Sequence, residues 1–132
     1  MESEGPVALV IVDHGSRVPA SNAALDDVVA TVSARCGSEF IAVLAAHMEL
    51  ASPTIGEAID AAVRAGAAKV VIALYFLAPG RHSETDVPAL AAEAAARHPG
   101  LTVTVTACLG PDPLLADLVA RRARSAPGAN RI

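Results

Sequence analysis

The sequence predicts an α/β fold: one lobe with a four-stranded parallel sheet, strand order 2-1-3-4, flanked by helices. Short apolar runs alternate with segments of helical period along the chain. Strict alternation of this kind gives a parallel sheet with crossover helices. Two of the runs, Val7 to Val12 and Lys69 to Leu77, are apolar on both faces and belong at the sheet centre. A third, Leu101 to Thr106, alternates apolar and hydroxyl residues, which suits an edge.

The elements follow in order. After the first strand, Ser21 or Asn22 offers an N-cap, and Leu25, Val28, Val29 and Val32 recur at helical spacing up to Gly37. Phe40 to Ala46 reads as the second strand. Ser52-Pro53 reads as a cap followed by proline at the first helical position, with Ile55, Ile59, Ala62 and Val63 on one face and a stop at Gly66. A third helix is expected after Asp86-Val87-Pro88, ending at Pro99-Gly100. Asp112-Pro113 opens the last helix, with Leu114, Leu115, Leu118 and Val119 as its apolar positions. Residues 1–124 form a single expected domain, and 125–132 an expected mobile tail.

Composition narrows the function. The 132 residues are 53% hydrophobic, enough for a core, with alanine supplying much of that figure. Aromatic residues make up 2%, too few for base-stacking recognition of nucleic acid. A net charge of −4 argues against a general polyanion binder, so an acidic ligand needs local positive charge. Cys36 and Cys108 lie too far apart in sequence for a short metal-binding pair and read as free thiols in a reducing compartment. The start of the chain has no apolar signal core, and no apolar run is long enough to cross a bilayer, so a cytoplasmic protein is expected, or a plastid stromal one if a transit peptide has been removed.

Two histidines carry the functional argument. His14 follows the first strand in Asp13-His14-Gly15-Ser16-Arg17, and His82 follows the third in Pro79-Gly80-Arg81-His82. In order 2-1-3-4 those strands are neighbours, about 4.8 Å apart. Both imidazoles then reach the C-terminal edge of the sheet, where ligands of open α/β folds bind. Two convergent imidazoles form part of a shell for a borderline divalent metal. Glu49 opens onto the same edge as a cation ligand, a proton acceptor or an exposed loop carboxylate. Arg17 and Arg81 flank the histidines and either clamp substrate carboxylates, pair with Asp13 and Glu84, or stay solvated. Ser16, Ser83 and Asn22 are candidate polar lining. Asp86 is either the cap of the third helix or a partner fixing the His82 tautomer. His47 reads as structural, and His98 as a residue at a helix C-terminus.

These segments, in this order, resemble the small class II tetrapyrrole chelatases of the sirohydrochlorin ferrochelatase and cobaltochelatase (CbiX/SirB-type) family. The resemblance rests on Asp13-His14-Gly15-Ser16-Arg17 with Asn22, on Ala46-His47-Met48-Glu49-Leu50-Ala51 with Pro53, and on Phe76-Leu77-Ala78-Pro79-Gly80-Arg81-His82 with Asp86-Val87-Pro88. It spans about residues 7–122, and the second and third segments look like the plant-type ferrochelatases in particular. It implies a chelatase-like lobe with His14 and His82 as metal ligands and Glu49 as an acidic helper. Short members of the family pair as homodimers. The tail holds no cysteine, so the iron–sulfur cluster of plant-type relatives is not expected, nor any permanently bound cofactor.

The reaction implied is insertion of Fe²⁺ or Co²⁺ into sirohydrochlorin with loss of two pyrrole protons. Its flat apolar ring and eight carboxylates call for an apolar slot with cationic groups nearby. Leu77 is expected beside that slot, with Met48, Leu50, Tyr75 and Phe76 as further wall candidates. A free imidazole titrates near about 6.5, so ligation is expected to fail below about pH 6. A non-catalytic metal or tetrapyrrole carrier is the main alternative. A histidine phosphotransfer enzyme is weaker because Asp13 beside His14 would repel phosphate. A serine hydrolase is weaker still, since Ser16 lacks the Gly-x-Ser-x-Gly frame.

Overall fold

A computed structural model describes residues 5–128. The sheet is built from β1 (Val7–Asp13), β2 (Ala42–His47), β3 (Lys69–Leu74) and β4 (Thr102–Val105). The strands are all parallel, in order β2-β1-β3-β4, as the hydrophobic patterning predicts. β1 pairs on both sides, with Val10 opposite Leu44 and Ile72. Both of its faces are buried, which explains its unbroken apolar run. β4 exposes its threonines and half-buries its valines, the pattern of an edge strand. β3 stops at Leu74, shorter than the run to Leu77, which leaves Tyr75, Phe76 and Leu77 in the loop above the sheet.

Helix α1 (Pro19–Cys36) covers one face through Leu25, Val28, Val29 and Val32 against Leu9, Ile11, Val43 and Val71. Helices α2 (Ile55–Arg64) and α3 (Val87–Ala95) cover the other, burying Ile55, Ile59, Val87, Ala91 and Ala94 against Val10, Val12, Val70 and Ile72. Alanine at 58, 62, 91 and 94 is almost fully buried in this layer, so much of the composition's alanine serves close helix–sheet packing. Helix α4 (Pro113–Ser125) buries no residue, and Leu114 and Val119 are 78% and 68% exposed. Its apolar positions are therefore not core positions of this lobe. The expected tail falls partly inside α4, at Ser125, and residues 129–132 lie outside the described residues.

Three helix starts differ from the sequence reading. α1 begins at Pro19, with Val18 in the cap position, so neither Ser21 nor Asn22 caps it. The amide of Asn22 has other work: it accepts from Ser16 N at 2.9 Å and donates to Ser16 O at 2.7 Å. α2 is capped by Thr54 rather than Ser52, because only Thr54 has a glutamate three residues on. Glu57 N donates to Thr54 Oγ1 at 3.1 Å and Thr54 N to Glu57 Oε1 at 2.8 Å, a reciprocal capping box. Thr54→Ala is expected to cost about 1 kcal/mol, read as a lowered urea midpoint at unchanged slope.

Asp86, the third, does not cap α3. It sits in helical geometry inside a π-turn (His82–Asp86) that runs into α3, where Val87 N donates to His82 O. Pro88 has no N–H to offer the carbonyl of Glu84, so the regular ladder is interrupted there and the wider turn fills the gap.

The middle of α2 is tied to the segment just past α3. Asp60 accepts from His98 Nε2 at 2.7 Å and Arg97 Nη2 at 2.9 Å. Those bonds, His98 first, hold the Asp60 carboxyl below its usual range, and the Thr54 N–H does the same for Glu57. A lowered carboxylate stabilises the fold above its unfolded pKa, about 4, and that contribution fades as pH falls through the lower folded value. Thermal melts from pH 6 to pH 3 should therefore show a smaller acid-induced drop for Asp60→Asn combined with Glu57→Gln than for the parent.

Candidate metal and tetrapyrrole site

β1 and β3 deliver the two histidines to one place. The imidazoles of His14 and His82 lie with ring centroids 4.2 Å apart at 65°. Phe76 meets His14 edge-on at 6.0 Å, an apolar buttress from the loop after β3. The histidines share a cleft of about 410 Å³ with Tyr75, Phe76, Leu77, Ala78, Gly80 and Ser83. Leu77 is 71% exposed at its rim. Leu50 is exposed but is not among the cleft's lining residues, and Met48 is buried in the core, so neither forms this wall.

The loop carrying His14 is held from several directions. Glu49 N donates to His14 O at 3.2 Å and Met48 N to Asp13 O at 2.9 Å, extending the β1–β2 pairing beyond the strands. Gly15 takes φ +91° and passes so close to Glu49 that a Cβ there would fall 1.8 Å from its carbonyl oxygen. Ser16 is bracketed by Asn22, and its Oγ accepts from Val18 N at 3.0 Å. Beneath the loop, His47 is 3% exposed and its Nδ1 stands 2.6 Å from Asp13 Oδ1. Asp13 and His47 are register partners at the ends of β1 and β2, so the strand alignment itself contained this pair. The structural role expected of His47 fits this contact.

On the other side, Asp86 Oδ2 lies 3.0 Å from His82 Nδ1. Ser83 closes the turn, its Oγ accepting from Gly80 N at 3.0 Å. Glu49 is exposed and stands apart from the histidine cleft: with Asp86, Met48, Ala89 and Leu90 it lines an adjoining depression. Arg17 and Arg81 are exposed at the loop ends, outside the cleft lining, and no ion pair joins them to Asp13 or Glu84 among the described residues. Ser16 faces its own loop rather than the cleft. Cys36 and Cys108 are free, half-buried and distant in role: Cys36 Sγ donates to Val32 O within its helix, and Cys108 Sγ to Ala78 O.

Two neutral imidazoles with free coordination positions can hold a borderline divalent ion without burying it. Among the described residues no group of three or more His, Cys, Asp or Glu side chains is placed to share one metal ion. Residues 8–126 match the CbiX family model. The chain belongs to the CbiX family. It is 43% identical over 126 residues to the chloroplastic sirohydrochlorin ferrochelatase of Arabidopsis thaliana, covering 89% of this chain and 55% of that one. It is 32% identical over 127 residues to a sirohydrochlorin cobaltochelatase of Methanosarcina barkeri, covering 91% and 96% of the two chains. SirB from Bacillus subtilis, solved with Fe³⁺, superposes with a TM-score of 0.85 at 23% identity, over 91% of this chain and 47% of that one. At that identity the superposition speaks for the fold. The chain spans about half the length of the first curated relatives it matches, at 55%, 55% and 56%. No helix among the described residues is long and apolar enough to cross a membrane.

Proposed function

We propose that this CbiX-family chain inserts a divalent metal, Fe²⁺ foremost, into sirohydrochlorin, forming siroheme. The reaction replaces two pyrrole N–H bonds by metal–nitrogen bonds and releases two protons. The observation that carries this reading is the 4.2 Å pairing of His14 with His82 inside an apolar-walled cleft at the sheet's C-terminal edge. In this account both histidines ligate the incoming ion, and Glu49 in the adjoining depression is the acidic helper that accepts protons. Leu77 and its neighbours contact the macrocycle, while Arg17, Arg81 and Ser16 at the loop ends meet its carboxylates.

Cobalt insertion for cobalamin synthesis is the second reading, favoured by the cobaltochelatase relative of nearly equal length. We further infer one domain over residues 1–124 acting as a homodimer, since one lobe leaves the cleft open-sided, and no role in nucleic-acid or membrane binding. The compartment in this reading is the cytoplasm, or the plastid stroma for a mature chloroplast form, in keeping with the chloroplastic relative.

The test is anaerobic: sirohydrochlorin in excess over protein, with Fe²⁺ or Co²⁺, followed by visible absorbance. Multiple turnovers above the uncatalysed rate are expected, with the relative rates identifying the metal. Tight binding with no rate above background would replace the enzyme by a carrier.

A further inference from the structure

We propose that Asp86 is a positioning residue that fixes the tautomer of His82 and thereby selects Nε2 as its metal-facing nitrogen. The inference rests on the reading that His82 ligates the metal substrate, and it adds which atom does so and why. Asp86 Oδ2 lies 3.0 Å from Nδ1 of His82. An ionised carboxylate only accepts hydrogen bonds, so in the neutral ring the proton sits on Nδ1. The lone pair is then on Nε2.

The surroundings agree on direction. Asp86 lines the depression it shares with Glu49, whereas His82 lines the cleft it shares with His14. Nδ1 turns to the carboxylate side, which leaves Nε2 for the cleft. His14 is held differently: its ring meets Phe76 and His82 edge-on, and no hydrogen bond to either of its ring nitrogens is present among the described residues. The pair is therefore asymmetric, with His82 set in advance and His14 free to adjust as the metal arrives.

A purely stabilising role explains this contact poorly. The side chains of His82 and Asp86 are 46% and 38% exposed, and half-exposed pairs of this kind contribute little to folding. Its larger consequence is chemical. A free imidazole in water prefers its proton on Nε2, so without Asp86 the metal-facing lone pair would be masked most of the time. Partners that orient a ligating histidine in this way change metal affinity by roughly 10–100-fold.

The experiment reads the tautomer directly, by long-range ¹H–¹⁵N correlation NMR on the metal-free protein, and Co²⁺ affinity by titration calorimetry. In the wild type, His82 should carry its proton on Nδ1. Asp86→Asn keeps the shape of the side chain but can donate its amide N–H to Nδ1, so it should move the proton to Nε2 as well, and the test survives even if Asp86→Ala folds poorly. Asp86→Ala should move the proton to Nε2 and weaken Co²⁺ binding by roughly 10–100-fold. A wild-type His82 protonated on Nε2, or an Asp86→Ala protein with unchanged tautomer and affinity, would overturn the proposal. Failure of the metal-ligand reading is distinguishable from this, because it appears as a wild type that binds no Co²⁺, and failure of the chelatase reading as Co²⁺ binding without turnover, while the tautomer result stands independently of both.

Discussion

His14→Ala and His82→Ala are each expected to reduce metal insertion by more than roughly 100-fold, beyond the roughly 10–100-fold that loss of an outer partner causes. Each variant removes one of the two proposed ligands, and no third side chain is placed to take over among the described residues. The fold should be indifferent, because both rings are exposed at the sheet edge and neither belongs to either core cluster. Melting temperature should stay within experimental scatter while insertion and Co²⁺ affinity fall together. A variant that loses activity but keeps full Co²⁺ affinity would assign that histidine to proton transfer instead.

Gly15→Ala should damage both stability and metal binding. At φ +91° an alanine pays about 1–3 kcal/mol for its backbone conformation alone. Its Cβ would also fall 1.8 Å from the carbonyl oxygen of Glu49, which is backbone and cannot swing away. The His14 loop must then separate from the exit of β2, breaking the Glu49 N–H to His14 O bond and displacing the imidazole. A lower urea midpoint and weakened Co²⁺ binding should appear in the same variant. Gly80→Ala is the control: it also borders the cleft, but a Cβ there meets nothing within 4 Å. Its stability should change by no more than about 0.5 kcal/mol.

The strand order was readable because three runs differed in how they were patterned. β1 had to be buried on both faces and β4 on one, and with a strict strand–helix alternation that fixes who neighbours whom. From there the two histidines share an edge, His14 directly after β1 and His82 at the end of the loop that leaves the neighbouring β3. The helix starts were less legible because several cap-like residues compete in each loop. Ser52, Thr54 and Asn22 all have capping chemistry, and only the side-chain partner decides: Glu57 for Thr54, the Ser16 backbone for Asn22. Asp86 misled for a related reason, since Asp before Val-Pro looks like a cap until the π-turn is seen to carry the helix through it. The apolar residues of α4 show another limit: helical spacing of leucine and valine marks a face, and not what that face meets.

Glu49 lies on the expected edge of the sheet, but a linear reading does not tell that it lines a different depression from the one the two histidines line. The Asp13–His47 contact follows from the register of β1 and β2 and from neither residue taken alone. A charged side chain at one strand end, opposite a histidine at the next, is the signal to look for.

Whether His14 and His82 together hold the metal is read from X-ray absorption at the cobalt edge of the Co²⁺ complex. Two imidazole rings should give outer-shell scattering, reduced to one ring in His14→Ala and in His82→Ala. A Co²⁺ complex whose spectrum shows no imidazole, or is unchanged in both variants, would contradict ligation by the pair.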